Sequence, residues 1–435
     1  MNKVRKKIFD ILPFSAIVLI FIFANSCSND LDVLFPEWDN NLLSQTTVLN
    51  SDQRNRIEGI YSVESGSDQF GSTVILKWVK DPPNAQSGSL GYLSIFTGKN
   101  TGYFVMQGGM LNNSVYVQGF WRYQTGASTG LAQLTLTEGA DYVLGTSPDS
   151  TGVVFTGTWG DGQSSPNNSL KFKLVKRIKP ELLQNDYYIV SHHGSGGGPE
   201  YLPQTENTSE ICKIIERYGA NGIELDVRIS KDGIPYMYHD NTLNPRLVQK
   251  GSLVGESENY TFKELNTFVR LIHGERIPSL EKILTTIVEE TQMVFVYVDC
   301  KPSSVNNMAA IAQVCQDARD LAETIPGRNP IQIYMALTSD DVLNAFMQLP
   351  NYQDIPSICE LTIDNFNQAG SDVWSPRWTE GTQNSDVSSL HSQGKKAICW
   401  TVNIPSFMQE YLFNGLFDGM LTDYPSLLGF YYYGQ

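Results

Sequence analysis

Between residues 222 and 240 the chain reads GIELDVRISKDGIPYMYHD, placing Glu224, Asp226, Asp232, His239 and Asp240 among residues that otherwise read as buried strand. Alternate side chains of a strand share a face, so Glu224 and Asp226 point one way while Ile223, Leu225 and Val227 point the other. Two residues along a strand separate Cβ atoms by about 6.5–7 Å, close enough for both carboxylates to converge on one cation. Two acids facing a core repel each other and lose hydration unless something positive lies between them. A bound metal answers that need; the plainer alternative is a buried salt bridge to Arg228, on the same face.

Other reactive side chains end apolar runs in the same half of the chain. His192 and His193 close YYIVSHHG, His239 closes IPYMYHD, Asp299 and Lys301 close MVFVYVDCK, and Trp400 to Asn403 close KKAICWTVN. With NPIQIYMAL, PSICELTI and DGMLTDYP, and with helical text such as TSEICKIIERYGA and SLEKILTTIVEE between them, these runs specify a parallel sheet covered by helices. About 250 residues is the usual size of an eight-stranded (β/α) TIM barrel, whose active site lies at the C-terminal strand ends. On this count His239 ends the third strand and Asp299 the fourth. A doubly wound α/β sheet is the alternative, but GSGGG at 194–198 lacks the GxGxxG spacing. All five histidines lie beyond residue 190. Three at one barrel mouth beside carboxylates point to catalysis, whereas His273 and His391 stand in polar helix or loop text.

The half from 51 to 177 has a different grammar. Seven short alternating runs, from STVILKWVK to LKFKLVK, are separated by Gly, Ser and Asn, which describes an all-β sandwich or small barrel. On strand count it resembles a lipocalin-like domain. Trp78, Phe104, Tyr116, Trp121 and Trp159 either fill its core or line a ligand cavity.

Composition sets the outer limits. At 435 residues, 41% hydrophobic and 18% charged, the chain suits two globular domains. A net charge of −15 excludes nucleic acid as partner, because a phosphate backbone is bound by a surplus of Lys and Arg. Lys3, Arg5, Lys6 and Lys7 precede the apolar run ILPFSAIVLIFIFA, which is shorter than the roughly 20 residues that span a bilayer and reads as an export signal. ANSC resembles the lipobox of bacterial lipoproteins, with Cys27 as the lipidated first residue of the mature chain and 28–50 as a tether. That places residues 1–27 in the signal and the protein at a membrane, on its periplasmic or cell-surface face. The other five cysteines lack disulfide or zinc spacing and read as buried thiols.

SHHG, ENTSE, GANGIELDVRISKDGIPYMYHDNTL, RIPSLEKIL, VDCKP, CWTVN and DGMLTDYP, in this order, resemble the glycerophosphodiester phosphodiesterases over 187–428, within a barrel domain of 180–435. The resemblance implies that His192 and His239 are the acid/base pair and that Glu224, Asp226 and Asp299 hold a metal. It implies that Lys301, with His193 and Trp400, meets phosphate and substrate, and that Glu206 and Asn207 buttress the site. Two positions depart from the family pattern: His193 stands where Arg is usual, and Asp299 where Glu is usual. Three oxygen donors favour a hard cation, Ca²⁺ or Mg²⁺. The expected reaction is hydrolysis of glycerophosphodiesters to sn-glycerol 3-phosphate and an alcohol. Alternatives are cyclisation, in which a substrate hydroxyl attacks phosphorus, and a surface binding lipoprotein whose barrel has lost catalysis.

Overall fold

A computed structural model describes residues 34–38, 42–194 and 202–435, and Leu34–Gln435 forms one compact unit. The expected export signal and Cys27 lie outside the described residues. Among the described residues, no helix is long and apolar enough to cross a membrane.

Alternation in the first half closes the sheet on itself. Strands β1 (Gly59–Ser65), β2 (Thr73–Trp78), β3 (Tyr92–Thr97), β4 (Gly102–Leu111), β5 (Ser114–Tyr123), β6 (Thr129–Glu138), β7 (Val154–Trp159) and β8 (Asn168–Arg177) pair antiparallel in sequence order. β8 returns to β1, which removes both exposed edges. The sequence marks seven runs; β1, GIYSVES, is the eighth, and it makes the domain a barrel rather than a sandwich. Tyr61, Phe70, Trp78, Phe104, Trp121, Phe155 and Phe172 pack together inside, so the aromatics fill a core. The described part of the expected tether lies on this barrel: the Trp38 indole donates to Gly119 O, Thr47 pairs with Met110, and Leu49 is buried.

The second half closes a parallel barrel of eight strands: β9 (Tyr188–Ser191), β10 (Gly222–Ile229), β12 (Phe295–Cys300), β13 (Gln332–Leu337), β14 (Ser357–Cys359), β15 (Val373–Trp374), β16 (Lys396–Cys399) and β17 (Gly419–Thr422). β17 pairs with β9, which also pairs with β10. Two expectations are corrected here. IPYMYHD supplies β11 (Pro235–Met237), which folds back antiparallel on β10 and is not a barrel strand. Asp299 therefore sits on the third barrel strand, and the two-residue β15 completes the eight. Outward-facing Ile223, Leu225 and Val227 join the helix-side core, while Tyr188, Val190, Phe295, Tyr297 and Tyr334 fill the barrel interior.

The two barrels are packed together. The Tyr103 ring meets that of Tyr218 edge-on at 4.9 Å, Ser94 Oγ donates to Arg217 O at 2.8 Å, and the Arg217 guanidinium lies 3.6 Å from the Tyr92 ring centroid. Glu216 is partly buried here and accepts from Gln292 N at 3.1 Å. Burial pushes its pKa from 4.5 up to about 7, against the pull of Lys77, Arg328 and Lys80. A carboxyl raised in the folded state contributes fully below its unfolded pKa, and that contribution is lost as pH rises toward 7. Glu216→Gln should therefore leave the melting temperature at pH 4 unchanged and raise it by about 2–5 °C at pH 8. Equal melting temperatures at pH 8 would show that the interface does not penalise the carboxylate.

Candidate active site

Register decides where the acids meet. β10 and β12 run parallel with Glu224 beside Tyr297 and Asp226 beside Asp299, so all four face the barrel interior at its C-terminal rim. One oxygen from each of Glu224, Asp226 and Asp299 lies within 4.8 Å of the others. Burial, then the charge of Asp226, pushes the Glu224 carboxyl well above its ordinary range. Arg228 does not pair with these acids; it binds His239 O, Asn241 and Glu258.

Positive charge comes instead from Lys301 and His193. The Lys301 ammonium lies 2.5 Å from Asp299 Oδ2 and 2.8 Å from Asp226 Oδ1, the latter as an ion pair without hydrogen-bond geometry. Burial opposes its charge, but Asp226 and Asp299 raise its pKa overall. His193 donates its backbone N–H to Glu224 Oε2 at 2.7 Å, and its Nδ1 is 2.6 Å from Asp226 Oδ2. Burial works against the His193 cation, yet Asp226 and Glu224 push its pKa up to about 10. An imidazole ion-paired with Asp226 thus stands where the family pattern has Arg.

The residues fit a divalent cation on two observations. All three ligand side chains offer oxygen, and the buried oxygen Asp299 Oδ1 has no hydrogen-bond donor. Asn207 occupies the other side of Asp226: its Nδ2 donates to Asp226 Oδ2 and its Oδ1 accepts from Asp226 N, both at 2.8 Å. Its own N–H donates to His193 O at 3.0 Å. Asn207 and His193 both have left-handed backbone (φ 57° and 51°), a conformation that Asn tolerates and that here is tied down by these bonds.

Each outer histidine leans on a carboxylate. His192 Nδ1 is 2.7 Å from Asp423 Oδ1, and Asn403 Nδ2 holds the other Asp423 oxygen. With a carboxylate accepting at Nδ1, that nitrogen carries the proton and Nε2 keeps a free lone pair. Burial, then the neighbouring His193 charge, lowers the His192 pKa despite Asp423, so the ring is neutral near pH 7. His239 Nδ1 is 2.7 Å from Asp240 Oδ1. Arg246 donates to both oxygens of Asp240, at 2.8 and 2.9 Å, and to both of Glu206, at 3.0 Å. Burial opposes the Asp240 charge, but Arg246, His239 and Asn244 hold the carboxyl below its ordinary range. The His193 ring lies between the others, with centroids 3.6 Å from His192 and 4.7 Å from His239.

The structure thus brings His192, His193, Glu206, Asn207, Glu224, Asp226, His239, Asp299 and Lys301 into one cluster. Trp400 sits at the rim with its indole donating to Ser375 O at 2.8 Å and the Arg377 guanidinium 4.7 Å from its ring centroid. Sequence reasoning gave no role to Asp423, Asn403, Arg246 or Glu360, although it named Asn403 at a strand end. The first two follow strands β17 and β16 in DGMLTDYP and CWTVN, so position at a strand end was the available signal. Glu360 follows β14, accepts from Tyr297 OH, and is pushed up to about 8 by burial and by Asp299. His391 pairs with Asp418, which precedes β17 and so lies at the opposite rim.

The sequence model of the glycerophosphoryl diester phosphodiesterase family matches residues 192–427. A Bacillus subtilis protein named glycerophosphodiester phosphodiesterase YhdW is 25% identical over 266 residues, covering 55% of this chain and 96% of that protein. A glycerophosphodiester phosphodiesterase of Bacillus altitudinis is 31% identical over 109 residues, 24% of this chain and 41% of that protein. Among solved structures, a glycerophosphodiester phosphodiesterase from Parabacteroides distasonis is 19% identical, covering 55% of this chain and 94% of its own, with a TM-score of 0.44. An Oleispira antarctica phosphodiesterase in complex with the product sn-glycerol-3-phosphate is 20% identical with the same coverage and a TM-score of 0.42.

Removing Arg246 strands the Glu206 carboxylate, whose side chain is 2% exposed. Breaking a buried pair costs about 3–5 kcal/mol, and the half-exposed arginine reduces this to about 2–3 kcal/mol. Arg246→Ala should lower the unfolding free energy from urea denaturation by that amount, seen as a lower midpoint with an unchanged slope. A loss below about 0.5 kcal/mol would match a solvent-screened surface pair instead.

Proposed function

The chain belongs to the glycerophosphoryl diester phosphodiesterase family, and on that premise we propose that it hydrolyses glycerophosphodiesters to sn-glycerol 3-phosphate and an alcohol. Carrying the reading is the juxtaposition of three convergent carboxylates with two histidines, each held by a carboxylate at Nδ1.

Glu224, Asp226 and Asp299 would hold the cation, Ca²⁺ or Mg²⁺ by the hardness of the donors. When bound, such an ion neutralises phosphate charge and favours an oxygen nucleophile at neutral pH. The protein's own groups do the rest. His192 is neutral and keeps Nε2 free, so it takes a proton from the nucleophile as base. His239, backed by Asp240, donates a proton to the departing alkoxide as acid. Proton transfer of this kind contributes about 10²- to 10⁴-fold per group. Lys301 and His193 supply positive charge toward the phosphate, Trp400 lines the approach, and Glu206 and Asn207 keep the histidine and aspartate side chains in place. The 180–435 domain carries the reaction. The basic and apolar N-terminus with ANSC supports a bacterial lipoprotein, exported and held through Cys27 at the periplasmic or cell-surface face, within reach of lipid-derived diesters.

His192→Ala and His239→Ala should each lower kcat on glycerophosphocholine by about 10²- to 10⁴-fold with unchanged circular dichroism. Turnover within a few-fold of the native chain would remove the histidines from the chemistry. EDTA should abolish release of glycerol 3-phosphate, and Ca²⁺ or Mg²⁺ should restore it; full activity in EDTA would exclude the metal role of the three acids.

A further inference from the structure

We propose that Gln124, in the turn between β5 and β6, is a positioning residue for the His192–Asp423 pair, which makes the antiparallel barrel part of the catalytic apparatus of the parallel one. The inference rests on His192 acting as an acid/base group.

Asp423 has four polar groups to satisfy. Its Oδ1 meets His192 Nδ1, its Oδ2 accepts from Asn403 Nδ2, and its N–H donates to Asn403 Oδ1 at 2.9 Å. Those three contacts come from the parallel barrel. The fourth does not: Asp423 O accepts from Gln124 Nε2 at 2.7 Å, across 299 residues of chain. The carbonyl lies between the end of β17 and the helix Pro425–Tyr433. Proline at 425 brings no N–H, and the first helix-type bonds of this segment run to Tyr424 O, so the glutamine supplies a donor that neither element provides.

Gln124 is built to hold that geometry. It is 3% exposed, its Oε1 accepts from Ser426 Oγ at 3.2 Å, and its backbone N–H donates to Thr101 O at 3.3 Å. One amide therefore clamps two points of the segment, Asp423 and Ser426, onto the first barrel. Because Asp423 orients the His192 ring, a shift of this segment re-aims Nε2 while leaving the carboxylate cluster in place. Misplacement by about 1 Å far from the chemistry can cost about 10²-fold in rate.

The test uses the full chain, with glycerophosphocholine and bis(p-nitrophenyl) phosphate as substrates. Gln124→Met keeps length and removes the hydrogen bonds to Asp423 and Ser426; it should lower kcat by about 10- to 100-fold with KM within about 2-fold. Ser94→Ala, which loses a barrel-to-barrel hydrogen bond away from the site, should leave kcat and KM unchanged. In a His192→Ala background, Gln124→Met should cost nothing further, because both act through one group. If Gln124→Met does not fold, Ser426→Ala, which frees the amide, should lower kcat several-fold with the same KM. If His192→Ala is impaired while Gln124→Met, or Ser426→Ala in its place, keeps native kcat, the positioning role is overturned and the acid/base reading stands. If His192→Ala itself turns over normally, the acid/base reading falls and this inference falls with it.

Discussion

Repulsion among three carboxylates organises this molecule. Glu224, Asp226 and Asp299 reach within 4.8 Å of each other because parallel register sets Asp226 beside Asp299 and strand alternation stacks Glu224 beneath them. Below lies a plug of Tyr188, Phe295, Tyr297 and Tyr334, which offers almost no dielectric relief. Relief comes sideways, from the ammonium of Lys301, the imidazole of His193 and the amide of Asn207. Lys301 answers Asp299 and His193 answers Asp226, which leaves the Glu224 carboxyl held well above its ordinary range by burial and by Asp226; a divalent cation seated among the oxygens would relieve it.

The same need for compensation spreads outward through paired groups. Asp226 draws in His193, and the His193 cation in turn depresses the basicity of His192. On the other flank Arg246 pairs with Glu206 and Asp240 together, so the carboxylate beneath His239 keeps its charge without being isolated. Histidine at 193, where the family pattern has Arg, is held by the same carboxylates, through its backbone N–H to Glu224 and its Nδ1 to Asp226.

How much of this could be read from the chain follows from the range of the forces involved. Alternation and helical period are local, so both barrels and the inward turn of Glu224 and Asp226 show in the residues. Pairing is not local. IPYMYHD has the composition of a buried strand, and only the Asp232-Gly233 turn before it, with Gly233 at φ 83°, marks a hairpin instead of a crossover. β15 has two residues, too few for any periodicity to register. Asp423 and Arg246 were missed for a similar reason: a carboxylate or guanidinium acquires a role only from what closure brings beside it. Family motifs carried the cluster from His192 to Lys301, and had nothing to say about a glutamine in the other barrel.

Closure of the parallel barrel joins its first strand to its last, and the His192–Asp423 contact spans 231 residues. A growing polypeptide that has already emerged past His192, Glu224, Asp226, Asp299 and Lys301 still lacks the aspartate that orients the first histidine and the strand that seals the sheet. The barrel and the His192–Asp423 pair are therefore completed together and last, once β17 and the aspartate that follows it have emerged and docked against the first strand.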